Sequence, residues 1–433
     1  MTTTDSRPTA APITASGVAQ RLEIALRPFV GGELPVRLRA WDGSEAGPVD
    51  APLVELRSRD AVRRLLWHPG ELGAAQAYVT GELDVPGDLE QALTHAITVG
   101  RLRGLAERRP GAAAVARGVR LLRQLGVVGP PPAPPSSQAR TRGRLHSPRR
   151  DRQVISHHYD LSNEFYALVL DPSMAYSCAY YGDDPEQSVE SAQRAKLDLV
   201  CTKLGLGPGS TLLDVGCGWG SLSLYAAEHV GARVVGLTIS AEQKRFVEQR
   251  IRERGLEGRV EVRLQDYREI PERDHFDAIG SLEMGEHVGE RRYPTYVEAL
   301  RRAVRPGGRV LVQQMSRNGR HPGGGPFFES FIAPDMYMRP VGETVAYLDA
   351  GGLEVRDVHA LREHYVHTVA GWRENFEAHL PELTALVGDE VVRVWRLYLV
   401  GGALAFREGR MGVDQILCVR PGAAHTLPLE RHG

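Results

Sequence analysis

The stretch STLLDVGCGWGS, residues 210–221, runs from an apolar segment of strand length into a turn with glycine at 216, 218 and 220. Glycines there let a backbone pass close to a ligand and turn sharply into a helix, for which SLSLYAAEHV (221–230) supplies the sequence. Working outward, ARVVGLTIS (232–240) reads as a second strand leading to helix AEQKRFVEQRIRERG (241–255). RVEVRLQDY (259–267), FDAIGSLEM (276–284) and GGRVLVQQMS (307–316) read as further strands. Strands alternating with helices predict an α/β domain with a doubly wound, mostly parallel sheet. Its ligands should lie beyond the carboxyl ends of the strands.

The glycine pattern narrows the ligand. Dinucleotide-binding turns usually read GxGxxG and face a pyrophosphate. Here Asp214 stands two residues before Gly216 and the spacing is GxGxG. This resembles the S-adenosylmethionine loop of class I (Rossmann-like) methyltransferases, where a carboxylate near the ligand's ammonium group makes electrostatic sense.

HHYDLSNEFYALVLDPSMAYSCAYY (157–181) makes the resemblance specific. Together with VVGLTISAEQ, LQDYRE, EHVG, HYVHTVAGWRENF (364–376) and GALAFREG (402–409), it resembles the cyclopropane-fatty-acid synthase family, whose members methylate unsaturated acyl chains. The resemblance implies a cofactor pocket formed by Tyr176, Ser177, Gly216 and Gly218. Gln243 would reach the ribose, Asp266 and Tyr267 would lie near the adenine, and Leu282 would pack against the cofactor. Ser240 and Gln243 also read as a capping box, in which Gln243 merely ties back a helix start.

The chemistry implied is demanding. An isolated cis alkene is a weak nucleophile, so positioning and dryness must do much of the catalysis. Methyl attachment leaves a carbocation, for which the aromatic faces of Tyr159, Tyr176, Tyr180 and Tyr365 are candidate stabilisers. A base must then remove a proton. The resemblance implies a bound bicarbonate held by cysteine, glutamate, histidine and tyrosine, matched here by Cys178, Glu286 and Tyr365. The histidine is missing. Gln313 stands in its place, and an amide can hydrogen-bond but cannot relay a proton. A second departure is Gly285, where an aromatic residue is common and whose smallness is expected to leave the space open, with Glu283 as an added carboxylate nearby.

Both departures fall where the cation is quenched. Direct proton loss from the new methyl closes a cyclopropane ring, whereas a hydride shift before that loss gives an exocyclic methylene. The preferred expectation is the methylene product on an oleoyl-type phospholipid chain, resembling the actinobacterial makers of 10-methyl-branched acids. A separate flavin- or NADPH-dependent reductase would complete the branch. Cyclopropanation is the alternative, and a non-enzymatic lipid carrier is a reading of another class that would leave the cofactor constellation unused.

Ahead of this domain, the Pro/Arg-rich stretch GPPPAPPSSQARTRGRLHSPRRDRQ (129–153) reads as a linker, and residues 1–16 as a flexible tail. Residues 17–128 then form a smaller N-terminal α+β domain for lipid binding or assembly. In it, LPVRLRAW (34–41), the Asp42-Gly43 turn signal and PLVELRS (52–58) predict a β-hairpin, followed by helices in RDAVRRLLW and LEQALTHAITVGRL. Arg140, Arg142, Arg144, Arg149, Arg150 and Arg152 in the linker would suit anionic headgroups, or simply solvate it. PGGGPFFESFIAPDMYM (322–338) reads either as a lid over an acyl tunnel or as core of a crossover.

A net charge of −1 and no broad basic face argue against a nucleic-acid substrate. Four scattered cysteines and no apolar run near the ~20 residues needed to span a bilayer suit a cytoplasmic protein. The expected place of work is peripheral, at the inner face of the plasma membrane, and self-association is compatible with the N-terminal domain. No metal is expected, since His287 in SLEMGEHVG has no second ligand at suitable spacing. His287 is read as ordering its turn.

Overall fold

The computed structural model of the chain describes residues 17–105, 111–139, 150, 162–318, 323–424 and 427–428. The backbone divides into two compact units, residues 1–135 and 136–433.

The larger unit is built on seven strands: β1 (Thr211–Val215), β2 (Arg233–Thr238), β3 (Val260–Leu264), β4 (Phe276–Leu282), β5 (Val304–Ser316), β6 (Glu354–Ala360) and β7 (Gly412–Val419). Its helices are α1 (Asn163–Val169), α2 (Val189–Leu204), α3 (Ser221–Tyr225), α4 (Ala241–Glu253), α5 (Tyr293–Ala303), α6 (Pro326–Phe331), α7 (Val341–Ala350), α8 (Arg362–Ala378) and α9 (Leu380–Arg407). The strand order is β6-β7-β5-β4-β1-β2-β3. Only β7 runs antiparallel to its neighbours. This is the doubly wound α/β sheet expected, with the winding direction reversing between β1 and β4, where such folds bind ligands.

The composition of each strand follows its place. β1 is sandwiched between helices, and Leu212, Leu213, Asp214 and Val215 are all buried, as parallel strands covered on both faces require. β3 is an edge strand, so it alternates, with Val260 and Val262 inward and Glu261 exposed. α4 buries Val247 and Ile251, one turn apart, and Ser240 caps it by accepting from the Gln243 N–H at 3.2 Å.

In the smaller unit the sheet order is 45–46, 37–39, 53–56, 83–84, and the expected hairpin is corrected. Arg37–Arg39 does turn back at Asp42-Gly43, but onto the short strand Glu45–Ala46, while Leu53–Leu56 pairs with it in parallel. Cross-strand ion pairs accompany this pairing: Glu45 accepts from Arg37 at 2.7 Å and Arg39 at 2.8 Å, and Glu55 accepts from Arg39 at 2.7 Å. The two predicted helices form at Arg59–Trp67 and Leu89–Leu102, capped by Ser58 and Asp88. The first residues of the proline stretch are held to this unit, since Trp67 Nε1 donates to Gly129 O at 2.9 Å and Arg64 to Ala133 O at 2.9 Å. No described helix is long and apolar enough to cross a membrane.

Candidate active site

A cavity opens at the carboxyl ends of β1, β2, β3 and β4. Of the residues expected to hold the cofactor, Gly216, Gly218, Gln243, Asp266 and Tyr267 line it. Thr238, Gln265, Arg268, Glu283 and Met284 join them. The loop after β1 is tied to β2 by the Gly216 and Cys217 N–H groups, which donate to Leu237 O at 3.0 and 2.8 Å. Gly216 has φ +83°, and a Cβ there would sit 2.8 Å from Met284 Cγ. Only glycine keeps this cradle open.

Gln243 is held at the helix start through its backbone N–H, which donates to Ser240. Its side chain does not return to the helix start; Oε1 accepts from Thr238 Oγ1 at 2.7 Å, which orients the amide at the cavity wall. Asp266 accepts from the N–H, Nε and Nη2 of Arg268 at 2.9, 2.7 and 2.6 Å. Asp214 lies behind the loop, accepting from Ser223 Oγ at 2.7 Å, with its carboxyl pushed up to about 6 by burial. Leu282 packs into the core beside α2 instead, and it is Glu283 and Met284, just beyond, that reach the cavity.

Tyr176 and Ser177 lie on the segment between α1 and α2. Ser177 Oγ accepts from Lys196 Nζ at 2.9 Å. Tyr176 enters an aromatic cluster with Tyr166, Trp219, Trp372 and Trp395, at centroid distances of 5.7, 6.5, 5.2 and 6.2 Å. Its hydroxyl donates to that of Tyr398 at 3.1 Å. The three tryptophans come from α8, α9 and the glycine loop, so no single stretch of sequence groups them. Tyr180 packs instead on His359 and His364, and Tyr159 falls outside the described residues.

Cys178, Gln313 and Tyr365 do converge, but on Glu283. One oxygen of Glu283 accepts from the Cys178 N–H at 2.7 Å and from Gln313 Nε2 at 2.9 Å. The other accepts from the Tyr365 hydroxyl at 2.6 Å. Gln313 is itself oriented from β7, where Gln415 Nε2 donates to its Oε1 at 3.0 Å. Glu283 has φ +52°, a left-handed conformation that costs a side-chain-bearing residue about 1–2 kcal/mol. The carboxyl is raised above its ordinary value by burial, opposed by its three hydrogen bonds and by Lys196. Burial also pushes up the Cys178 thiol, and Glu283 adds to it, so the thiol stays protonated.

The donors that the resemblance assigns to a bicarbonate are thus engaged by a side-chain carboxylate, and the site does not fit an added anion. Glu286 stands apart. Its Oε1 accepts from the Met315 N–H at 3.4 Å, and its Oε2 has no partner among the described residues. Burial and then Glu283 push its carboxyl up to about 8, against the nearby Arg339, whose guanidinium lies 3.8 Å over the Tyr293 ring. Because the folded state raises this group from 4.5, it favours the protonated form. Stability is full below the unfolded value and falls as pH rises from about 4.5 toward 8. Glu286→Gln is therefore expected to raise the unfolding temperature relative to wild type at pH 8.5 but not at pH 4; thermal melts at both values check this.

Gly285 is also corrected. The space beside it is filled, since a Cβ there would lie 2.1 Å from Gln314 Oε1, which accepts from the Tyr293 hydroxyl at 2.7 Å. Glycine makes room for a glutamine. His287 lines the cofactor cavity, and its N–H closes the turn onto Met284 O at 3.0 Å. Between residues 323 and 338, Phe327, Phe331, Ile332, Met336 and Met338 are buried. Arg150 pairs with Asp335 at 2.8 Å; the other linker arginines fall outside the described residues.

The seven-stranded order, the glycine cradle and the polar ends of β2 and β3 define a class I S-adenosylmethionine-dependent methyltransferase. The family model described as mycolic acid cyclopropane synthetase matches residues 146–416, and the chain belongs to that family. It is 37% identical, over 92% of its length and 94% of the relative's, to a probable fatty acid methyltransferase of Mycobacterium tuberculosis. It is 34% identical, over 90% and 88%, to the tuberculostearic acid methyltransferase UfaA1 of the same organism. Among solved structures, mycolic acid cyclopropane synthase CmaA1 complexed with SAH and CTAB matches with a TM-score of 0.58 and 33% identity, covering 62% of this chain and 98% of that one. The enzyme modifies lipid acyl chains by S-adenosylmethionine-dependent methylation or cyclopropanation.

Proposed function

We propose that the protein methylates the cis double bond of an oleoyl-type phospholipid acyl chain at the membrane surface and releases a methylene-branched product. A separate flavin- or NADPH-dependent reductase then saturates the branch. The observation that carries this reading is Gln313, wedged between Gln415 and Glu283 where the family resemblance implies a histidine.

Bound S-adenosylmethionine supplies an electrophilic methyl group. The chain's own residues do the rest. The glycine cradle and Gln243 hold the cofactor at the cavity wall, and the Tyr176, Trp219 and Trp372 cluster provides dry aromatic faces on which a cation is stabilised. The alkene π pair forms the new C–C bond as the methyl–sulfur bond breaks and leaves its pair on sulfur, and an empty orbital remains on the adjacent carbon. An amide at 313 can hold a carboxylate in place but cannot ionise or shuttle a proton. Proton removal is thereby slowed, and a hydride from the methyl-bearing carbon shifts to the cationic one. Loss of a proton from the added methyl then gives the exocyclic methylene.

The name of the UfaA1 relative supports a methylated product, whereas the family's description as cyclopropane synthetases favours ring closure as the second reading. Mass spectrometry of lipid fatty acids after expression in an oleate-containing host separates them. A methylene-branched product is expected; a cyclopropane product sinks the proposal. Labelled methyl that never reaches phospholipid would sink the lipid reading altogether.

A further inference from the structure

Glu283 combines four features that a structural carboxylate does not need together. It sits at φ +52° where glycine would be unstrained. It lines the cofactor cavity. Both its oxygens are held, by the Cys178 N–H, Gln313 and Tyr365. Lys196, whose positive charge acts on it, is wholly buried and hydrogen-bonded to Ser177. Backbone strain retained at a cavity wall points to function.

We propose that the Glu283 carboxylate is the base of the reaction, built into the chain in place of an added anion. The inference rests on the proposed alkene methylation but not on which product forms. In the step, a C–H bond of the newly added methyl breaks and its electron pair forms the C=C bond of the methylene. The proton passes to a Glu283 oxygen, leaving a neutral carboxylic acid and a neutral lipid. The sulfonium has become a sulfide, so charge balances, and the proton returns to water through the cavity after product release. Tyr365 and Gln313 act as positioning residues, fixing the carboxylate plane. Desolvation raises the basicity of Glu283, which favours a base operating near neutral pH.

The test uses the full-length protein, dioleoyl phospholipid vesicles and radiolabelled S-adenosylmethionine in buffer stripped of carbon dioxide, with and without added bicarbonate. Wild type is expected to label lipid equally in both. Glu283→Gln should lose about 100- to 10,000-fold of turnover, the span of general base catalysis, while its S-adenosylhomocysteine affinity by calorimetry stays near wild type. Glu283→Gly, comfortable at positive φ, should regain activity only when bicarbonate is supplied. A wild-type enzyme that requires bicarbonate, or a Glu283→Gln enzyme that turns over normally, overturns the proposal. If either variant misfolds, the wild-type response to bicarbonate still decides. A ring product from wild type would overturn the methylene reading alone, because the bicarbonate and Glu283→Gln readouts apply unchanged; unlabelled lipid from wild type would overturn both.

Discussion

Gly216→Val is expected to weaken S-adenosylmethionine binding by about thirtyfold or more. Two costs combine. A side-chain-bearing residue in the left-handed region loses about 1–2 kcal/mol, and φ at Gly216 is +83°. The new Cβ would also press within 2.8 Å of Met284 Cγ, an overpacking that typically costs about 1–3 kcal/mol. The loop escapes both by swinging away from Leu237 O, and binding must then restore the strained form. At about 1.4 kcal/mol per tenfold the penalty spans roughly thirty- to several-thousandfold in affinity. Calorimetric titration with S-adenosylhomocysteine checks it. An affinity within a few-fold of wild type would mean that the loop does not contact the cofactor.

Tyr365→Phe is expected to lower lipid methylation about ten- to hundredfold with cofactor affinity retained, the equivalent of one charge-assisted hydrogen bond of roughly 1.5–3 kcal/mol. The hydroxyl donates to Glu283 at 2.6 Å and favours the ionised carboxylate. Its removal raises the Glu283 carboxyl further. A base must be ionised to act, so activity climbs with pH as Glu283 loses its proton, and the variant's climb should occur at higher pH. The shift of the acid limb separates this role from a packing role, since the phenyl ring would still stack on Phe406, 4.4 Å from the Tyr365 ring. An unshifted pH profile would argue against the Glu283 contact.

The central strands and the glycine loop were legible because each is specified locally. β1 is a mostly apolar run ended by glycine, β2 a short β-branched run that leads into a capped helix, and β3 an alternating apolar and charged strand. β6 and β7 were not read as strands. EVRDVHA has only half-buried or exposed residues on both faces, so no alternation marks it. The apolar GVDQILCV follows directly on the helical sequence GALAFREG. The candidate site was legible in parts. Cys178, Gln313 and Tyr365 were singled out and do meet, across sequence separations of up to 187 residues (365 − 178). Which glutamate joins them was not legible. Glu283 and Glu286 are three residues apart, and the choice depends on the left-handed turn at Glu283, a backbone dihedral that residue identity does not announce. Lys196 and Gln415 were invisible for a related reason. A lysine in a charged helix and a glutamine in a strand read as surface residues until the packing that buries them is known.

The position of β7 has a consequence for how the enzyme comes to life. This strand, drawn from residues 412–419, threads between β5 and β6 and carries the glutamine that orients Gln313. A ribosome has therefore made every other strand of the sheet before the reaction centre can assemble. The nascent chain can shape its cofactor cavity from β1 to β4 early, yet lacks a correctly aimed carboxylate until Gln415 has been added. Biosynthetic order thus withholds reactivity from chains that still lack β7.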